Sequence, residues 1–163
     1  MRPDPAAHAP VVLPTADHTR VWGVRLGRVL RAGDLVVLTG DLGAGKTTLV
    51  QGVAEGLGVR GPITSPTFVI ARVHPSLVGG PALVHVDAYR LGGLAELDDL
   101  DLDTSLEESV TVVEWGHGLA EELSENRLEV TLTGEDARTA TVTAHGRRWH
   151  ESAGHLAALV EVA

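Results

Sequence analysis

The sequence predicts an α/β fold of three layers, α/β/α, with a mostly parallel central sheet and an antiparallel hairpin at its carboxyl end. Three observations carry that expectation. A glycine-rich turn, Gly40-Asp41-Leu42-Gly43-Ala44-Gly45-Lys46-Thr47-Thr48, lies between an apolar run at residues 35–39 and a helical stretch at residues 47–57. Two further apolar runs, ending in Asp87 and in Glu114-Trp115, read as buried strands with a carboxylate at the tip. Two alternating segments, residues 128–133 and 139–145, flank Gly134-Glu135-Asp136-Ala137 and read as a hairpin added to the sheet.

The turn after the first strand fits the pattern G-x-x-x-x-G-K-[ST], the phosphate cradle of a P-loop NTPase-like domain. Gly40, Gly43 and Gly45 let backbone N–H groups approach an anion without Cβ clashes, and the positive end of the following helix faces the same way. Lys46 neutralises the outer phosphates, and the Thr47 hydroxyl suits magnesium. Composition reinforces this: the chain has twelve arginines and one lysine, and that lysine is Lys46. A compact ammonium fits a tight loop where a planar guanidinium does not. The ligand expected here is ATP or ADP with Mg2+.

Taken in order, residues 1–12 carry Pro3, Pro5 and Pro10 and read as an irregular lead-in, followed by one domain over residues 13–163. Val21, Trp22, Val24, Leu26, Val29 and Leu30 predict a helix over residues 15–30, capped by Thr15 or Asp17, with Thr19 in its first turn. After the phosphate loop, Val50, Val53, Ala54 and Leu57 give the next helix an inward face, and Gly56 and Gly58 stop it. Gly61-Pro62-Ile63-Thr64-Ser65-Pro66-Thr67-Phe68 is turn-rich, suited either to plain turn chemistry or to a segment that orders around a γ-phosphate, and leads into a strand at residues 68–73.

The strand at residues 82–87 has the Walker B form, with Asp87 placed to hold magnesium or position water. His85 faces the same way and reads as a core or rim histidine. Residues 94–103 form an acidic helix or loop, a solvated face that also suits a partner protein. The strand through Val113 ends in Glu114, and two acids at the carboxyl ends of neighbouring parallel strands fall on the edge where the phosphate loop lies. Arg138, at the mouth of the hairpin, is either an exposed turn residue or a guanidinium reaching the nucleotide. A last amphipathic helix is expected over residues 151–162.

Whole-chain properties bound the function. A length of 163 residues with 44% apolar and 21% charged residues suits one globular domain. The absence of cysteine excludes disulfides, thiolate catalysis and cysteine-ligated metals. No membrane span or secretory core is visible, so a cytoplasmic protein is expected. The net charge of −9, with only three Trp, one Tyr and one Phe, disfavours an unaided grip on nucleic acid.

Four motifs in succession, Gly40 to Thr48, Ser65-Pro66-Thr67-Phe68, His85-Val86-Asp87-Ala88-Tyr89-Arg90-Leu91 and Val113-Glu114-Trp115, resemble in order and spacing the TsaE (formerly YjeE) family, over roughly residues 13–145. The resemblance implies a bacterial ATPase needed to make threonylcarbamoyladenosine, next to the anticodon, in tRNAs that read codons beginning with A. It implies work with TsaD and TsaB, contact with tRNA only through that complex, and a separate enzyme supplying threonylcarbamoyl-adenylate. ATP hydrolysis would reset the assembly between turnovers. By the same resemblance Thr47 and Glu114 ligate magnesium, Asp87 positions water or metal, and Thr67 belongs to a switch loop. Asp41, Gly43, Ala44, Gly45, Lys46, Thr47 and Thr48 bind the nucleotide, with Arg138 and Thr19 as further contacts. Lys46, Asp87 and Glu114 form the catalytic set. The chain departs from the family pattern in having Phe68 where tyrosine is frequent and Gly116-His117-Gly118 after Trp115.

Two other readings stand beside this one: a small-molecule kinase of the same fold, which would need an arginine-bearing lid that is not visible, and a scaffold whose ATP state only gates assembly.

Overall fold

The computed structural model describes residues 6–7, 10–40, 45–59, 61, 71–87, 107–114, 126–134 and 137–151. In chain order these form β1 (Ala6–Ala7), β2 (Val11–Leu13), α1 (Ala16–Val29), β3 (Leu35–Gly40), α2 (Lys46–Leu57), β4 (Ala71–His74), β5 (Ala82–Asp87), β6 (Ser109–Glu114), β7 (Arg127–Thr133), β8 (Arg138–His145) and α3 (Arg147–Glu151). The strands make one sheet in the order β1-β8-β7-β3-β6-β5-β4, with β2 also paired to β8.

The centre of the sheet is parallel: β7 with β3, β3 with β6, and β6 with β5. Both flanks are antiparallel, β4 on β5 at one side and β8 on β7 at the other. The sheet is therefore mixed rather than mostly parallel. The cause is in the connections, because a short link such as residues 75–81 between β4 and β5 can only reverse the chain, whereas parallel neighbours need a crossover of a dozen residues or more. β3 and β6 are buried along almost their whole length, as central parallel strands are, and hence rich in Val and Leu.

The lead-in is the clearest departure from expectation. Ala6–Ala7 and Val11–Leu13 are not irregular but pair antiparallel with β8, Leu13 lying opposite Arg138. Val11 and Leu13 are buried while Val12 is exposed, a three-residue alternation too short to stand out among the prolines. This pairing carries the chain to the edge of the sheet where the central strands end, and α1 starts there. Thr15 caps α1 in an extended conformation, its hydroxyl accepting the His18 N–H.

α1 and α2 therefore begin at the same edge and run side by side in the same direction. Their contact is made of glycine. A Cβ on Gly23 would lie 2.5 Å from Leu49 O, on Gly27 2.4 Å from Val53 O, on Gly52 2.1 Å from Arg20 O and on Gly56 2.3 Å from Val24 O. Two Gly-x-x-x-Gly faces thus bring the helix backbones into direct contact. Beneath them Trp22, Leu26, Leu49, Val50 and Val53 pack on Val36, Leu38, Leu83, Val110, Val112 and the inner residues of β7 and β8. Each fully buried leucine in that core contributes about 1.5–3 kcal/mol.

The opposite edge of the sheet is closed by an ion pair. Asp34, just before β3, takes Arg148 Nε and Nη2 on its two oxygens, both at 3.0 Å, and also accepts the Arg31 N–H at 2.7 Å. Arg148 further donates to Val29 O at 3.1 Å and lies 4.1 Å from the Trp149 ring centroid. α3 thus begins at Arg147, ahead of the helix expected over residues 151–162, of which only Glu151 lies within the described residues. The acidic stretch at residues 94–103 lies outside them, as does the turn-rich segment with Thr67 and Phe68. No helix among the described residues is long and apolar enough to cross a membrane.

Candidate functional site

β3 delivers the chain to Gly40, and α2 takes it up again at Lys46. Gly45 caps α2 with φ 96°, a left-handed conformation that a side chain resists, and its carbonyl accepts the first helical bond from Leu49 N at 2.9 Å. No acidic residue occupies the first turn of α2, whose amide N–H groups open at the sheet edge. Lys46 is 7% exposed, and its Nζ donates to the carbonyl of Gly40. The lysine thereby ties the start of the helix to the end of the strand. Thr47 and Thr48 are half-buried in the same turn. Asp41, Gly43 and Ala44 lie outside the described residues.

Three distant segments meet at Gly45. A Cβ placed there would lie 3.7 Å from Arg138 Nε and 3.9 Å from Thr19 Cγ2. Thr19 is buried in the first turn of α1, its hydroxyl donating to Thr15 O at 3.4 Å. Arg138 opens β8 and donates from Nη1 to Gly134 O at 2.9 Å. Both arrive for a topological reason. β7 is parallel to β3, so the β7–β8 connection falls at the carboxyl edge of the parallel strands, and β2 pairs with β8 so as to start α1 at that edge too.

The two acids end neighbouring strands, Asp87 in register with Glu114. Leu83 on β5 and Val110 and Val112 on β6 belong to the core under α1 and α2, so by the two-residue period Glu114 points to the side of the sheet where α2 begins. Glu114 is 4% exposed, and its carboxylate contacts His85 Nε2. A carboxylate at the end of a central strand, a hydroxyl in the first helical turn, an ammonium and a glycine turn are groups that could hold a phosphate chain with a divalent cation, for which Thr47 and Glu114 offer oxygen atoms. The space at Gly45, which a Cβ would fill, fits the close approach such a ligand needs.

Residues 13–142 match the family described as threonylcarbamoyl adenosine biosynthesis protein TsaE. The chain belongs to the TsaE family. Among relatives called tRNA threonylcarbamoyladenosine biosynthesis protein TsaE, that of Streptomyces coelicolor is 64% identical over 137 residues, covering 80% of this chain and 93% of its own. The Bacillus subtilis TsaE is 42% identical over 122 residues, covering 73% and 75%. The crystal structure of Bacillus subtilis YdiB superposes with a TM-score of 0.71 at 30% identity, covering 96% of this chain and 95% of that one. The matched span contains residues 40–48, Asp87, Glu114 and Arg138.

Sequence reasoning missed two features of this TsaE chain. The contact of His85 with Glu114 had one signal, a histidine two residues before a strand-end acid on the same face of the sheet. The glycine contact had a plain one, the four-residue spacing of Gly23 with Gly27 and of Gly52 with Gly56 on adjacent helices.

Proposed function

We propose that this protein is the ATP-binding and ATP-hydrolysing component of the machinery that makes threonylcarbamoyladenosine in tRNA, working with TsaD and TsaB homologues and meeting tRNA only through them. The observation that supports the ATP site is the convergence of Thr19 and Arg138 on Gly45 at the head of α2, which brings three separated segments to one turn. Membership of the TsaE family, and the names its relatives carry, support the pathway.

In this reading the chain's own groups divide the work. The amides at the head of α2 and the Lys46 ammonium bind and neutralise the outer phosphates. Arg138 adds a second positive charge beside Gly45, and Thr19 packs against the same turn. Thr47 and Glu114 would hold magnesium, with Asp87 ligating it or orienting the attacking water. The cation, when bound, polarises the phosphoryl oxygens and spreads the charge that develops on them. Buried surroundings at Lys46 and Glu114 strengthen each of these interactions relative to water.

Phosphate release measured for the wild type, Lys46→Ala and Glu114→Ala, alone and with TsaD and TsaB homologues, tests the proposal. The expectation is partner-stimulated turnover in the wild type and a loss of about 10²-fold or more in each variant. Near-normal turnover in both variants would refute it.

A further inference from the structure

Position 85 is an unusual place for a histidine. β5 is an interior strand, parallel to β6, whose same-face residue Leu83 is core, and such positions ordinarily hold Val, Ile or Leu. His85 is 0% exposed, and burying an imidazole costs free energy unless its nitrogens are hydrogen-bonded. One nitrogen is used: Nε2 contacts Glu114 Oε2. A carboxylate only accepts, so Nε2 donates. The other nitrogen, Nδ1, is buried with no hydrogen-bond partner among the described residues. Among the described residues, the bond this buried ring makes is to one particular carboxylate.

Register explains the reach. His85 pairs with Val112 and Asp87 with Glu114, so the ring lies one pleat below Glu114 on the same face and meets its carboxylate from the core side. A glutamate has three rotatable bonds, and near the mouth of the site an untethered one would sample several rotamers. A donor fixed from beneath on Oε2 selects one of them.

We infer that His85 is a positioning residue, holding the Glu114 carboxylate by Oε2 so that Oε1 is presented at the strand end to the divalent cation. The inference rests on the proposed MgATP site and adds a residue to it. Outer hydrogen-bond partners of metal-binding carboxylates typically set metal affinity by about 10–100-fold. His85 touches neither nucleotide nor metal, so its removal should spare nucleotide binding that does not need the cation.

The test uses the full-length protein with Mn2+ as the probe cation. Mn2+ affinity of the ADP complex is read from the free-ion paramagnetic resonance signal, and ADP affinity in EDTA from a fluorescent ADP analogue. His85→Leu should weaken Mn2+ binding by about 10–100-fold while leaving ADP affinity in EDTA within about threefold of wild type. His85→Gln, whose amide N–H reaches nearly as far as Nε2, should restore most of the Mn2+ affinity. His85→Asn, polar but one methylene shorter, should not, and this pair keeps the test sharp if His85→Leu fails to fold. Wild-type Mn2+ affinity in the Leu or Asn variant overturns the inference, as does an equal loss of ADP affinity in EDTA, which marks His85 as structural support for the whole pocket. Absence of ADP binding in the wild type would instead remove the MgATP site itself, and the inference with it.

Discussion

Replacing Gly52 with alanine sets two effects of opposite sign against each other. In an isolated helix the change would stabilise by about 1 kcal/mol, because alanine loses less backbone entropy. Here the new Cβ would sit 2.1 Å from Arg20 O, 2.9 Å from Arg20 C and 3.0 Å from Gly23 Cα, all backbone atoms that no rotamer change can move aside. Restoring ordinary contact at 3.4 Å requires a separation of about 1.3 Å between the helices along that line. Overpacking of this kind costs about 1–3 kcal/mol, and immovable backbone neighbours put it at the upper end. The expected net loss is about 2 kcal/mol, or roughly 4–8 °C in Tm for a domain of this size. Urea unfolding followed by circular dichroism measures it, as a lower midpoint at unchanged slope. Gly80→Ala is the control, since its Cβ would meet only Ser76 Oγ, at 3.8 Å. Arg20 adjoins Thr19 in sequence, so Gly52→Ala should also weaken ATP binding, while Gly80→Ala should not. A Gly52→Ala midpoint at or above wild type would show that propensity wins and that the two helix backbones are not in contact.

Single contacts set the other expected outcomes. Asp34→Ala takes the carboxylate away from the largely buried Arg148 guanidinium and should cost about 3–5 kcal/mol in urea unfolding, whereas Asp34→Leu combined with Arg148→Met should recover much of that. An Asp34→Ala variant as stable as wild type would mean the pair is solvated. Arg138→Ala should lower ATP affinity by about tenfold or more in titration calorimetry, the worth of a charged hydrogen bond, and an unchanged affinity would take Arg138 out of the site. Thr15→Ala removes the cap of α1 and should cost about 1 kcal/mol, with no change in Tm as the contrary result.

How much of the fold is legible in the sequence depends on how far each signal extends along the chain. β3, α2, β5 and β6 are legible because each is encoded locally, β3 by the apolar run at residues 35–38, β5 and β6 by short stretches in which Val and Leu predominate, and the start of α2 by the glycine-lysine spacing before it. Thr15 as a cap is legible for the same reason. The mixed character of the sheet is not, because strand direction depends on how each connection crosses the sheet, and a strand's own residues hold little record of that. β1 and β2 are hidden behind three prolines, and their pairing is decided by β8, about 130 residues away in sequence. The Asp34–Arg148 pair is equally long-range, 114 residues apart, and nothing near either residue announces the other.

The hidden pieces are nevertheless what make the legible ones into a site. A glycine-lysine turn on a strand and helix supplies amides and one ammonium, but Thr19 and Arg138 reach it only because the antiparallel additions at the β8 edge bring two more chain segments to the carboxyl ends of the parallel strands. The glycine contact then fixes the depth at which α1 lies against α2, and with it the position of Thr19 relative to Gly45. Chemistry-bearing groups gather at that one edge, Gly40, Lys46, Asp87, Glu114 and Arg138, while Asp34 and Arg148 tie down the other. For the proposed nucleotide site this division has a physical basis: backbone amides and a buried lysine kept ready for an anion cost stability, and the buried Asp34–Arg148 pair and the close-packed helices supply stability elsewhere in the fold.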